Sequence, residues 1–177
     1  MERKVNLYLT EKGFLKIKLS KGGKVKITLE VKAKELHKYL KSIVPPIQPD
    51  HSIVDGYCML YDNNKGKSAK KNIVDFVSNV YLNKNVKWVG SSIDEGYTIA
   101  IDNIIYHHEI IDPNDVEFFN DANLKGSGGP NSYVEARVKE DLQILNKEDI
   151  YRMYCSVYEN GKHKEKFHID PKLKGNT

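Results

Sequence analysis

Lysine and aromatic residues share one side of the first thirty positions. Taken at a spacing of two, Lys4, Asn6, Tyr8, Thr10, Phe14, Lys16, Lys18, Lys24, Lys26 and Thr28 fall opposite an aliphatic set of Val5, Leu7, Leu9, Leu15, Ile17, Leu19, Val25, Ile27, Leu29 and Val31. Ammonium groups that track phosphates beside rings that stack on bases make a surface for single-stranded nucleic acid. A solvated sheet face has the same composition, because lysine also discourages edge-to-edge pairing of strands.

A second candidate is the glycine-rich segment Lys125-Gly126-Ser127-Gly128-Gly129-Pro130-Asn131-Ser132. Ser132 and Glu135 have capping-box spacing, so the loop is expected to open into a helix over 132–145. Backbone N–H groups at such a helix start hold anions, and Lys125 adds charge. The segment lacks both GxxxxGK[ST] and a GxGxxG after a clear strand, so a flexible connector is the alternative. Lys65-Gly66-Lys67-Ser68 resembles the end of a phosphate-binding loop but fails the full motif, since Tyr61 stands five positions before Gly66.

Catalytic chemistry has fewer candidates. On a strand through IIYHHEIID, His107 and Glu109 share one face and form an acid/base or metal-ligating pair, with His108 on the other. Asp102, Asp112, Asp115 and Glu117 are near in sequence, and Asp102 with Asp112 would suit a divalent metal in a phosphodiesterase. His163 and His168 are an odd number of positions apart, so a regular strand sends them to opposite faces. Cys58 and Cys155 sit in apolar surroundings, in YCMLY and MYCSVY, and are expected to be packed thiols. No Cys/His spacing matches a zinc site, and no GxSxG occurs. No cofactor is expected, unless a divalent metal serves the enzyme reading. Trp88 is expected in the core.

These residues need elements to position them. The alternation over positions 5–31, broken at Lys12-Gly13 and Gly22-Gly23, predicts a three-stranded meander. Leu36, Leu40 and Ile43 then have helical spacing, stopped by Pro45-Pro46. A strand is expected around Ile53–Tyr61, and a helix carrying Ile73, Phe76, Val77 and Val80 after Ser68. Further strands are read at Val86–Val89, Tyr97–Ile101 and Ile104–Ile111, the last two joined by a turn near Asp102-Asn103. Ile150–Tyr158 and Lys164–Ile169 flank Asn160-Gly161 as a hairpin. The fold class is therefore α+β, a mainly antiparallel sheet or sheets with an N-terminal three-stranded meander and about three helices. One domain over 1–177 is expected, with an alternative division into a βββα unit over 1–45 and an α+β remainder over 50–170.

Charge sharpens the functional reading. Residues 1–45 carry a net +8 and residues 91–125 a net −7, within a chain of +4 overall. A basic section points to a polyanionic partner. Only 3 of the 28 basic residues are Arg, which together with many Asn and Ile residues fits an AT-rich coding sequence. A chain of 177 residues buries about two-thirds of its unfolded surface, so folding needs neither disulfides nor a structural metal. Two isolated cysteines and the absence of both an apolar membrane span and a leader-like start favour a cytoplasmic protein with no membrane partner.

The leading expectation is a small binding protein for nucleic acid or a nucleotide-type phosphate ligand. One alternative is a metal-dependent phosphodiesterase or nuclease using His107 and Glu109. Another is a protein-interaction inhibitor from a phage or mobile element, whose protein partner would be oriented by the polarised charge.

Overall fold

The computed structural model describes residues 6–9, 15–18, 22–45, 47–64, 72–106 and 116–176. Short strands β1 (Asn6–Leu9) and β2 (Leu15–Lys18) pair antiparallel as a two-stranded sheet. The third strand of the expected meander goes elsewhere. β3 (Val25–Val31) lies between β4 (Cys58–Asp62), antiparallel, and β6 (Asn85–Ser92), parallel, and the antiparallel strand β9 (Tyr133–Arg137) completes a four-stranded sheet β4-β3-β6-β9. The aliphatic side of β3 is buried as its alternation requires, but Thr28 on the opposite side is buried too. A strand this covered takes central neighbours, and that preference outweighs hairpin pairing with the chain just before it.

The second sheet is built on β10 (Glu148–Glu159). β7 (Tyr97–Tyr106) pairs along one edge of it, with β8 (Asn123–Lys125) beyond; β12 (Lys172–Asn176) and β11 (Lys162–Ile169) share its other edge. β5 (Val77–Tyr81) runs parallel to β12 at the border. The expected hairpin is present: Asn160 and Gly161 have φ of 48° and 76°, the backbone that a tight two-residue turn between twisted strands demands. The protein is thus mixed in class, with two principal sheets of mainly antiparallel strands.

Two α-helices are found among the described residues. α1 (Ala33–Ser42) buries Ala33, Leu36 and Leu40 and ends before the prolines, as the spacing predicts. α2 (His51–Gly56) occupies part of the expected 53–61 strand; the Asp50 carboxylate accepts from Ser52 N at 2.8 Å and starts the turn. Among the described residues the other two expected helices are replaced by strands and short turns. Ile73–Asp75 is a single 3-10 turn leading into β5, and the 132–145 segment is β9 followed by a 3-10 turn at Leu142–Ile144.

Side chains from both sheets meet in the core. Fully buried Trp88 of β6 donates its indole N–H to the Tyr151 hydroxyl of β10 at 3.0 Å, with the rings edge to face at 5.9 Å. Tyr106 stacks on Tyr151, and Phe119 lies edge-on to both Tyr106 and Trp88. Burial raises the Tyr151 hydroxyl well beyond any physiological range, so it remains a neutral hydrogen-bonding group. Among the described residues no helix is long and apolar enough to cross a membrane.

Candidate functional site

Among the described residues, the lysine and aromatic positions of the first thirty belong to two different sheets. Tyr8 is opposite Lys16, and Asn6 opposite Lys18, in the β1–β2 ladder, whereas Lys24 and Lys26 belong to the exposed end of the four-stranded sheet. The Lys26 backbone N–H is held by the Asn63 side chain at 2.7 Å. Phe14 lies outside the described residues.

The glycine-rich loop likewise has a structural task. β7 is continuous through Asp102 and Asn103, where a turn was expected, because Asp102 is accommodated as a bulge: Tyr154 pairs with Asn103 and Cys155 with Ile101. The loop is sewn to that bulge. Gly126 N donates to Asp102 O at 2.7 Å, while the buried Ser132 hydroxyl donates to Ile101 O at 2.7 Å and accepts from Gly128 N at 3.0 Å. A side chain at Gly126 would run into the carbonyls of Ile101 and Asp102 and the Ser132 hydroxyl, so glycine is required for close approach. Ser127 N and Oγ bond the backbone of Tyr133. With backbone groups committed and a strand in place of the helix, Lys125, Gly126, Ser127, Gly128, Gly129 and Ser132 form a β-connection and not a helix-based anion cradle. The alternation Val134, Ala136, Val138 inward against Tyr133, Glu135, Arg137 outward was the competing signal.

Asp102 is also engaged by its side chain, whose Oδ2 accepts from Ser156 Oγ at 2.7 Å. His107, Glu109 and Asp112, like the Lys65–Ser68 segment, lie outside the described residues. Cys58 and Cys155 are buried free thiols; burial pushes both up, so neither is an activated thiolate.

The structure instead gathers residues that are distant in sequence. His51 at the start of α2 meets His168 near the end of β11, with ring centroids 4.4 Å apart, and Asp170 follows immediately after that strand. Ligand-type atoms of these three side chains all lie within 4.8 Å of one another. Arg152 of β10 grips Asp170 with both arms, Nε to Oδ1 at 2.9 Å and Nη2 to Oδ2 at 3.0 Å. Asp55 stands on the same side: burial raises its carboxyl, Asp170 adds to the rise and His51 opposes it. A cavity of about 240 Å³ opens beside the histidines, lined also by Tyr154, Phe167 and Pro49. Sequence reasoning considered His168 only against His163, and α2, which brings His51 to it, was expected as strand.

No family model matches the chain, and no curated protein matches it by sequence. A crystal structure of an inclusion body protein, PixA, from Burkholderia cenocepacia is similar at a TM-score of 0.62 and 12% identity, over 90% of this chain and 99% of that one. The two chains share a fold. That match corrects the expected function: the protein that shares this fold is described as an inclusion body protein, and not as the nucleic-acid or nucleotide binder expected from the sequence.

Proposed function

We propose that this chain is a structural protein whose folded copies associate into inclusions in the cytoplasm. The observation that carries the reading is the likeness to the inclusion body protein PixA along nearly the whole of both chains. The charge distribution supports it, since the chain carries a +8 section and a −7 section, opposite signs of the kind that head-to-tail contact between copies uses. Strands β4 and β9, which end the four-stranded sheet, carry the exposed apolar side chains Met59 and Tyr133. Met59 and Ile93 share a depression of about 140 Å³ at the β4 edge, suited to a side chain from a neighbouring copy. The buried, reduced thiols suit the cytoplasm.

The test is to express the protein at moderate level and section the cells for electron microscopy. Inclusions that dissolve in salt without denaturant, and release protein with native near-ultraviolet dichroism, are expected. A diffuse protein, or inclusions that yield only unfolded chains, contradicts the proposal.

A further inference from the structure

We infer that His51, His168 and Asp170 form a binding site for a transition-type divalent cation such as Zn²⁺. This goes beyond the assembly reading and does not depend on it. Two imidazoles and one carboxylate are the donor set that borderline cations prefer, whereas Mg²⁺ and Ca²⁺ favour oxygen alone. The three groups come from α2, β11 and the connection after it, and their ligand atoms already lie within 4.8 Å of one another. Ligands of a tetrahedral ion bound at about 2.0–2.2 Å are separated by roughly 3.5 Å, so closure needs side-chain adjustment of about an ångström. Exposed His51, on a short helix, can supply it.

The surroundings fit a cation. Arg152 holds both oxygens of Asp170 in a guanidinium fork and so fixes the direction in which the carboxylate offers its remaining lone pairs, the part that outer-shell partners play around bound metals. The Arg152 charge is met by Asp170, and Asp55 adds a second carboxylate within electrostatic reach of His51 and Asp170. Tyr154, directly across the ladder from His168 with rings 5.6 Å apart, backs that imidazole. Three protein ligands leave the fourth position of a tetrahedral ion open, and the cavity beside both histidines gives it access to water or a small anionic ligand.

The experiment is calorimetric titration of the folded protein with Zn²⁺, with Co²⁺ absorption as a spectroscopic reading of the same site. One ion per chain is expected, undisplaced by millimolar Mg²⁺. His51→Gln, at an exposed position that folding tolerates, and His168→Gln should each weaken binding at least tenfold and change the Co²⁺ spectrum, while His163→Gln leaves both unchanged. The inference is overturned if the wild-type protein takes up no Zn²⁺, or if His51→Gln, shown folded by circular dichroism, binds it as tightly as wild type.

Discussion

Tyr151 and Arg152 are consecutive on β10, yet they serve two regions with opposite physics. Tyr151 points inward, fully buried, and accepts the Trp88 indole hydrogen bond amid stacked rings. Arg152 points the other way and holds Asp170 at the edge of the half-exposed histidine cluster. The inner region is made of large apolar surfaces, with the Trp88 indole and the Tyr151 hydroxyl paired to each other, and its return is stability. At the outer region charged and titratable groups stay within reach of solvent, where ion pairs contribute little to folding and the groups remain able to meet a ligand. A one-residue step along a strand separates them, because successive side chains face opposite sides of the sheet.

The comparison can be broken at either end. Trp88→Ala should cost about 3–5 kcal/mol in urea unfolding followed by circular dichroism, since it empties the largest buried site between the sheets. A loss below about 1 kcal/mol would show that the inner region is not the stability centre. Tyr151→Phe keeps the ring and removes only the acceptor for the buried indole N–H, so about 1–3 kcal/mol is expected. His51→Gln should change stability by no more than about 0.5 kcal/mol, and a large loss there would erase the division between the two regions.

The smallest effect concerns Glu159. Hydrogen bonds from Lys164 and Tyr97 hold its carboxyl below the ordinary value of 4.5. With the folded pKa depressed, its stabilising contribution is present above the ordinary value and lost as pH falls through the lower folded one. Glu159→Gln should therefore lower the melting temperature slightly at neutral pH and leave the acid end almost unmoved, so that the profile falls less steeply below about pH 4.5.

Legibility in the sequence followed the range of the interactions. The β10–β11 hairpin and α1 were readable because Asn160-Gly161, the leucine spacing and the proline stop are local signals. β3 was recognised as a strand but not placed, since its partners β4 and β6 are distant in sequence and its alternation says nothing of which strands adjoin it. The 132–145 segment misled because a capping box and a strand alternation coincide there, and burial of Val134 and Val138 against the sheets decided for the strand. Trp88 and the two thiols were placed correctly in the interior by their apolar neighbours. The histidine cluster left no such trace: it depends on a six-residue helix and a bulged hairpin converging from distant parts of the chain.

Self-association of the folded chain is tested most directly by sedimentation velocity of the purified protein over a wide concentration range at low ionic strength. A sedimentation coefficient that climbs with concentration toward large, salt-reversible assemblies is the expected result. One monomeric boundary, unchanged at every concentration, would contradict it.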